Sequence, residues 1–299
     1  MAPQANSNDN LSAVLYGAKD FRLEQRPIPN PKDDELLVRV HTVGLCGTDL
    51  HFWGHGAFGS RLVQEPVVIG HEVSGTVEKV GKKVTGFAVG DRVVWKRQSM
   101  QRPAAIWCIC SLVAQPAEFC IKLPDNVSME EGAMLEPLCC AVHSCNRADI
   151  HSGQTVLICG SGAIGVLSII CAKAMGAVKI IATDLSDKRL AIAKDVGADH
   201  VLNVSGKTPK EAAAAIVEIL GYEPEVTLEC TGFGPSIETA IWATKPGGKI
   251  SVAGMGANRA DIPIWEAITK EIDILPSLKY VHSTEFSLIV DMVASERST

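Results

Sequence analysis

A glycine pattern between an apolar strand and an apolar helix constrains this chain more than any other feature. Residues 155–165 read Thr-Val-Leu-Ile-Cys-Gly-Ser-Gly-Ala-Ile-Gly, and an apolar segment follows as far as Ala174. Gly160 permits a sharp turn, Gly162 lets a pyrophosphate approach the backbone, and Gly165 lets the helix pack closely on the strand. The amino terminus of such a helix attracts phosphate. The pattern therefore predicts a dinucleotide-binding unit.

The residues after the glycine pattern indicate which dinucleotide binds. Lys179 to Asp184 is a second short apolar strand that ends in a carboxylate. An acid at this position hydrogen-bonds the adenosine ribose and repels the 2′-phosphate of NADP. Strand, turn, helix, strand and acid follow in the required order, which a chance glycine pattern does not explain. We predict NAD, although Lys188 and Arg189 just beyond Asp184 leave NADP as an alternative.

Length and charge restrict the rest of the interpretation. The 299 residues allow about two domains, and a hydrophobic content of 46% suffices for substantial cores. A net charge of −6 gives no electrostatic reason to expect a nucleic acid or an anionic membrane as partner. Residues 1–10 lack a signal-peptide pattern and no apolar run is long enough for a bilayer, so we expect a cytoplasmic protein. The ten cysteines are then buried thiols and metal ligands rather than disulfides.

Two different patterns divide the chain into two domains. Short strands separated by turns predict a β-rich module over residues 11–150. Strands and helices alternate over residues 151–282, which predicts a doubly wound parallel Rossmann sheet. A last helix is expected from Thr284 to Ala294, within the segment 283–299. The predicted fold class is therefore α/β, with a second, β-rich domain.

Two clusters of metal-binding residue types lie in the β-rich part. Residues 44–51 read Gly-Leu-Cys-Gly-Thr-Asp-Leu-His, which we interpret as a glycine-bounded turn, and residues 66–72 run an apolar strand into an imidazole and a carboxylate. Taken singly, these side chains are ordinary packed thiols, turn hydroxyls or satisfied imidazoles. Together, Cys46, His71 and Glu72 are good zinc ligands, and three protein ligands leave a coordination position for a substrate. We predict one catalytic zinc.

The motifs resemble those of the zinc-dependent medium-chain dehydrogenases. The segments that carry this resemblance are Gly44 to Asp49, Gly70-His71-Glu72, Gly90-Asp91-Arg92-Val93 and the Gly160 pattern. Further segments resemble the polyol-dehydrogenase branch of the family, namely Leu123 to Val127, Glu130 to Leu138, Ala172 to Ala177 and Glu229-Cys230-Thr231-Gly232. The resemblance implies a GroES-like catalytic domain, a Rossmann domain, and NAD-dependent oxidation of a polyol such as sorbitol, xylitol or L-iditol.

The resemblance also implies the zinc ligands. Cys46 and His71 are expected to bind zinc, and a carboxylate completes the set. Glu72 is usually that ligand in the polyol branch, where the acid matching Glu136 holds the zinc-bound water or substrate; which of the two binds zinc stays undecided here. For Glu136 the ordinary structural alternative is an acid at a helix end, next to Pro137.

The remaining site residues also follow from the resemblance. Thr48 is expected to accept the proton of the substrate hydroxyl, and His51 to pass it to solvent. The implied substrate-binding residues are Phe52, Glu136, Lys279 and Tyr280. The implied cofactor-binding residues are Gly160, Gly162, Ile164, Gly165, Asp184, Arg189, Ala253, Gly254, Met255, Ser277, Leu278 and Lys279.

Two regions depart from the family pattern. Residues 94–116 are shorter than the corresponding region and lack its motifs, and Cys108, Cys110 and Cys120 do not have the spacing of a four-cysteine structural zinc site. An alternative exon, a frame change or an incorrect gene model would explain that segment. In the family the chain returns to its catalytic domain with a strand and helices, of which Thr284 to Ala294 is expected to be the first helix, so the resemblance implies a truncated form with uncovered apolar surface.

Three alternatives to an active polyol dehydrogenase follow. One is a zinc-dependent dehydrogenase for a simple alcohol or threonine. Another is a catalytically impaired isoform that binds NAD or does not fold. A metal-free reductase is disfavoured, because nothing would then explain why Cys46, His71 and Glu72 occur together. The resemblance further implies a homo-oligomer, a tetramer, that associates near residues 253–264.

Overall fold

The computed structural model describes residues 10–59, 61–95, 108–256, 259–280 and 283–295. Contacts divide the chain into two compact units, Met1–Glu136 with His282–Thr299, and Pro137–Val281. The domain limits expected from the sequence, with a boundary after residue 150, stay predictions. Of the segment that departs from the family, residues 96–107 lie outside the described part of the chain.

The first unit consists mainly of antiparallel strands. Its strands are β1 (Asn10–Gly17), β2 (Asp20–Arg26), β3 (Glu35–Gly44), β4 (Ala57–Phe58), β5 (Arg61–Leu62), β6 (Val67–Val68), β7 (Glu72–Val80), β8 (Arg92–Trp95), β9 (Leu112–Pro116) and β10 (Cys120–Lys122). One sheet has the order β10-β8-β7-β3-β9, a second has the order β2-β1-β6, and β4 pairs with β5. The apolar side chains of β3, β7, β8 and β9 form one core, which confirms a β-rich module.

Two helices of this region carry predicted site residues. Helix α1 spans Gly47–His55, so the interpretation of residues 44–51 as a turn is wrong beyond Cys46. A 3₁₀ helix, Ala117–Phe119, precedes β10. Helix α2 spans Met129–Arg147 and continues through Pro137, so Glu136 lies in the middle of a helix and the helix-end interpretation is also wrong.

The second unit is a parallel sheet with helices on both faces. Its strands are β11 (Thr155–Cys159), β12 (Lys179–Asp184), β13 (His200–Asn203), β14 (Val226–Glu229), β15 (Lys249–Val252) and β16 (Asp273–Pro276). Its helices are α3 (Ala163–Ala174), α4 (Asp187–Asp195), α5 (Pro209–Leu220), α6 (Gly234–Ala243) and α7 (Ile264–Thr269). The strand order is β13-β12-β11-β14-β15-β16, and every neighbouring pair is parallel. This topology confirms the predicted doubly wound Rossmann sheet.

Alternating side chains of β11 pack into two different cores. Val156 and Ile158 belong to the core that α3 and α4 cover, whereas Leu157 and Cys159 belong to the core under α5 and α6. A strand that is buried on both faces needs apolar side chains at every position, which explains its continuous apolar sequence. The strand order reverses between β11 and β14, and such a reversal leaves a crevice at the carboxyl ends of the strands.

Helix α8 (Ser283–Ser295) belongs to the first unit and confirms the predicted last helix. Phe286, Ile289 and Val290 on one side of α8 are buried. Asn126 donates a hydrogen bond from Nδ2 to the carbonyl oxygen of Ala294 at 2.7 Å. Across the described ranges, every helix is too short or too polar to cross a membrane.

Candidate active site

The two sequence clusters meet at one point of the first unit. Cys46 directly precedes α1, His71 directly precedes β7, and Glu72 is the first residue of β7. One ligand atom from each side chain lies within 4.8 Å of the other two. His71 is 5% exposed and Glu72 8% exposed. Within the described part of the chain, no other three His, Cys, Asp or Glu side chains form such a group.

A glycine on the neighbouring strand makes room for the carboxylate of this cluster. Gly44 ends β3 and pairs with Glu72 in the β3–β7 register. A Cβ atom at Gly44 would lie 2.1 Å from Oε2 of Glu72, which is closer than nonbonded atoms approach. In the motif Gly44-Leu45-Cys46, Cys46 therefore supplies the thiol and Gly44 leaves the space for the carboxylate of Glu72.

Asp49 organises the cluster, and the sequence interpretation gave it no role. Its carboxylate is 2% exposed and accepts hydrogen bonds from the amides of Cys46 (3.0 Å) and Gly70 (3.1 Å). Its Oδ1 atom also lies 3.7 Å from Nδ1 of His71. One side chain thus ties the segment of Cys46 to that of His71. An acid at the third helical position is a known capping signal, and the spacing of Cys46 and Asp49 could have revealed it.

The electrostatics of the cluster favour a cation. Burial raises the pKa of Glu72, and the charge of Glu136 raises it further. Burial alone would lower the pKa of His71, but hydrogen bonds to Asp49 and Cys46 together with the charge of Glu136 raise it to about 9. Negative charge is therefore crowded in a space from which water is largely excluded. A thiol, an imidazole and carboxylates are the donor set that zinc prefers, so the residues fit this metal.

The predicted proton-transfer residues lie on α1. Thr48 is 4% exposed, and its Oγ1 atom accepts a hydrogen bond from Sγ of Cys46 at 3.5 Å. His51 follows three residues later and is half-buried. Residues three apart share a helix face, so Thr48 and His51 are neighbours on the surface of α1. The imidazole ring of His55, one turn further on, has its centroid 5.9 Å from that of His51.

Glu136 is positioned by the packing of α2 on β7. Ser74 of β7 donates a hydrogen bond from Oγ to the carbonyl oxygen of Met129 at 2.6 Å. A Cβ atom at Gly132 would lie 3.1 Å from Cβ of Ser74, so the helix approaches the strand closely. Glu136 lies one turn after Gly132 on the same face and is 4% exposed. The carboxylate is thereby buried within electrostatic range of His71 and Glu72.

The second unit contains a cavity of about 740 Å³ at the carboxyl ends of its strands. Four of the predicted cofactor-binding residues line it, namely Gly160, Gly162, Asp184 and Arg189. At Gly162 a Cβ atom would meet no atom within 4 Å, so the glycine leaves free space in the cavity wall. At Gly165 a Cβ atom would lie 1.8 Å from the carbonyl oxygen of Gly160, so only glycine permits this helix–strand contact. These properties fit a bound dinucleotide.

The carboxylate of Asp184 is held in a fixed orientation at the cavity. It accepts hydrogen bonds from the amides of Ser161 and Ser186, both at 2.9 Å. Nη1 of Arg189 lies 3.8 Å from Oδ2 of Asp184, on a side chain that is 62% exposed. Lys207 lines the same cavity, although the sequence interpretation did not include it. The cavity wall therefore contains the negative group of Asp184 and, with it, the positive groups of Arg189 and Lys207.

The other predicted residues are more dispersed. Ala253, Gly254 and Met255 follow β15, and Ser277, Leu278 and Lys279 follow β16, so all six are at the carboxyl edge of the sheet; Ile164 is in the first turn of α3. Nζ of Lys279 lies 5.1 Å from the ring centroid of Tyr280. The ring of Phe52 is 6% exposed and packs with Leu15 and Ile69. The substrate and cofactor roles of these residues stay predictions.

One chain therefore contains both a cavity that fits a dinucleotide and a buried cluster of metal ligands. The model of the alcohol dehydrogenase GroES-like domain matches residues 32–125, and that of the zinc-binding dehydrogenases matches residues 163–295. Sorbitol dehydrogenase of Bos taurus is 41% identical over 309 residues, which cover 96% of this chain and 86% of the bovine protein.

Solved structures of two other dehydrogenases are also similar. L-Idonate 5-dehydrogenase from Escherichia coli has a TM-score of 0.86 at 25% identity, over 97% of this chain and 88% of that one. 2R,3R-Butanediol dehydrogenase from Bacillus subtilis has a TM-score of 0.83 at 27% identity, over 96% and 88% of the two chains. The chain therefore belongs to the zinc-dependent medium-chain dehydrogenases, in the branch of the polyol dehydrogenases. It is an oxidoreductase that uses NAD and zinc, and its resemblance to this family is confirmed.

Proposed function

We propose that this chain oxidises a secondary hydroxyl of a polyol, with zinc at the Cys46 cluster and NAD in the cavity of the second unit. Sorbitol, with fructose as the product, is the first candidate substrate; xylitol and L-iditol are the next. The observation that carries the proposal is the convergence of Cys46, His71 and Glu72 within 4.8 Å. The names of the similar proteins, a sorbitol dehydrogenase and an L-idonate dehydrogenase, support a polyhydroxylated substrate.

The proposed zinc ligands are the thiolate of Cys46, the imidazole of His71 and the carboxylate of Glu72. Zinc held by these residues would make an alcohol hydroxyl more acidic, and NAD in the cavity would supply the hydride acceptor. Glu136 is not part of the group within 4.8 Å, which supports Glu72 as the third ligand. Glu136 then lies outside the ligand set, and its proposed role is to accept a hydrogen bond from a hydroxyl of the polyol.

Thr48 and His51 form the proposed route for the proton. The Oγ1 atom of Thr48 lies 3.5 Å from Sγ of Cys46, so a substrate hydroxyl at the cluster comes within reach of it. His51 is half-buried on the same helix face and has one side toward solvent. An imidazole can accept a proton at one ring nitrogen and release one from the other, which suits a relay to solvent.

The cofactor half of the proposal rests on Asp184 and its neighbours. The carboxylate would accept hydrogen bonds from the ribose hydroxyls of NAD, and Arg189 beside it would add a donor. A 2′-phosphate at this place meets the negative charge of Asp184, which disfavours NADP. Gly162, where a Cβ atom would meet no atom within 4 Å, leaves room for the pyrophosphate at the amino terminus of α3. The residues that follow β15 and β16 are the proposed contacts of the nicotinamide half.

Three further residues are proposed to shape the polyol pocket. Lys279 and Tyr280 are proposed to contact substrate, with the ammonium and the phenol hydroxyl as hydrogen-bonding groups. Phe52 contributes an apolar wall rather than a hydrogen bond, since its ring packs in the core with Leu15 and Ile69. A homotetramer and a cytoplasmic location also stay predictions.

Measurement of zinc per chain and of NAD reduction tests the proposal. The substrates are sorbitol, xylitol, L-iditol, L-threonine and ethanol, at one fixed concentration of NAD. We expect about one zinc per chain and turnover of at least one of the three polyols. Turnover of threonine or ethanol alone would show that the substrate is not a polyol. Stoichiometric zinc and NAD binding without any turnover would instead identify an impaired isoform, which the departure in residues 94–116 makes the second candidate.

A further inference from the structure

Among the described residues of the second unit, the carboxylate that accepts the most hydrogen bonds is that of Glu229, the last residue of β14. Its side chain is fully buried. Oε1 accepts hydrogen bonds from the amide of Thr231 (2.9 Å) and from the hydroxyls of Thr231 and Ser236, and Oε2 accepts one from the amide of Gly232 (2.9 Å). All four donors belong to residues 230–236, the turn after β14 together with the first residues of α6, which we term the Thr231 loop.

The backbone of Glu229 holds a second loop. Its carbonyl oxygen accepts hydrogen bonds from the amides of Ala253 (2.8 Å) and Gly254 (2.9 Å). These two residues begin the loop 253–256, which follows β15 and which we term the Gly254 loop. A single residue therefore fixes the loops at the carboxyl ends of two adjacent strands, one through its side chain and one through its backbone.

The two loops are also in direct backbone contact with each other. A Cβ atom at Gly254 would lie 2.0 Å from the amide nitrogen of Gly232. A Cβ atom at Gly160 would lie 2.5 Å from Cγ2 of Thr231, so this methyl group covers the first glycine of the dinucleotide pattern. Because close-packed groups transmit displacements, a shift of the Thr231 loop changes the positions of both neighbours.

The Thr231 loop forms a large part of the cofactor cavity. Its members Cys230, Thr231, Phe233, Pro235 and Ser236 line the cavity, whereas Glu229 lies behind them and does not. The hydroxyl of Thr231 donates to Glu229 and accepts a hydrogen bond from the amide of Phe233 at 3.0 Å. The carboxylate thus determines the shape of the cavity wall without reaching the cavity.

We propose that Glu229 is a positioning residue for NAD, which orders the Thr231 and Gly254 loops before the cofactor binds. A buried carboxylate is costly for folding unless it is hydrogen-bonded, and here three of its four hydrogen bonds come from residues that line the cavity, two from Thr231 and one from Ser236. Its effect is therefore on the geometry of that wall. The inference rests on the proposed function in one respect, that NAD occupies this cavity.

The test is Glu229→Gln in the full-length, zinc-loaded protein. The Gln amide retains one acceptor oxygen but faces the Gly232 amide with a donor, so one hydrogen bond is replaced by a donor–donor contact. We expect the Kd for NAD, measured by calorimetric titration, to rise about tenfold, with a parallel rise of KM for NAD and a smaller change of kcat. Zinc content should not change.

Glu225→Gln is the matched control. Glu225 lies at the opposite end of β14 and also binds a backbone amide, that of Thr155, at 2.8 Å, together with Lys245. Its substitution should lower the Tm of the cofactor-free protein without changing the Kd for NAD. A second pair tests the same network: Thr231→Val, which lacks the hydroxyl, should bind NAD more weakly than Thr231→Ser, which keeps it.

Two results would overturn the inference. One is a Glu229→Gln protein that has a lowered Tm but the same Kd for NAD as the unsubstituted protein, because Glu229 would then only stabilise the fold. The other is equal Kd values for Thr231→Val and Thr231→Ser, a comparison that stays decisive if Glu229→Gln does not fold. If the unchanged protein itself binds no NAD, the proposed function fails first, and that result is distinct from both.

Discussion

The metal-ligand cluster of the first unit and the cofactor cavity of the second are built in opposite ways. The cluster depends on side-chain atoms, since Cys46, His71 and Glu72 each contribute a ligand atom and Asp49 orients two of their segments. The cavity depends on backbone that lies close to other backbone, as at Gly165. Substitutions that remove a side-chain atom should therefore affect the cluster most, and substitutions that add one should affect the cavity most.

The largest effect is expected for Cys46→Ser. This change removes the thiolate, so zinc is lost and turnover falls by at least about a thousandfold, because a metal contributes several kcal/mol to such a reaction. Zinc content by atomic absorption and initial rates of NAD reduction measure it. NAD binding should persist. Cys110→Ser, at a half-buried thiol of the same unit, is the control, and loss of NAD binding in Cys46→Ser would contradict the independence of the two sites.

Gly165→Ala tests the cavity by adding one methyl group. Its Cβ would lie 1.8 Å from the carbonyl oxygen of Gly160, so α3 must shift, at a cost of about 1–3 kcal/mol. We expect the affinity for NAD to fall about 5–150-fold while zinc content stays constant. Gly54→Ala adds the same group where no atom lies within 4 Å and should bind NAD normally. Equal affinities of the two variants would show that the backbone contact is unimportant.

Asp49→Asn tests the side-chain organisation of the cluster. The two oxygens of Asp49 accept from different amides, and the Asn side chain opposes one of those amides with a donor. Zinc affinity should fall about 10–100-fold, as for other residues that orient metal ligands. Competition with a chelator measures the affinity. Asp33→Asn, at an exposed ion pair with Lys83, is expected to have no effect; the interpretation fails if both variants hold zinc equally.

The smallest effect is expected for Asp184→Asn. The amide keeps one acceptor for the Ser161 or Ser186 amide but removes the charge that opposes a 2′-phosphate. Arg189 and Lys207 in the same cavity would then favour NADP, and the ratio of kcat/KM for NADP to that for NAD should rise about tenfold. Asp195→Ala, an exposed acid at the end of α4, should leave the ratio unchanged. A constant ratio in Asp184→Asn would remove its role in cofactor choice.

The two units also differed in how well their sequences predicted them. The Rossmann sheet was predictable because apolar strands and helices alternate over short stretches and the first βα unit carries the glycine pattern. The helix α1 was not, since Gly47 and Gly54 make its intrinsic helix propensity low. It forms because Asp49 caps its start and because Phe52 packs with Leu15 and Ile69, and the partners of Phe52 are distant from it in the sequence.

The sequence by itself determined which chemical groups the chain offers: the glycine pattern, Asp184, and the thiol, imidazole and carboxylates of the metal cluster. These depend on residue type and short spacing, which a sequence displays directly. Only the tertiary structure placed Glu72 against Gly44, Asp49 between two ligand segments, and Glu229 behind the cavity wall. Such positions depend on which strands are neighbours and in which register, and burial then decides whether a carboxylate binds solvent, a metal or its own backbone.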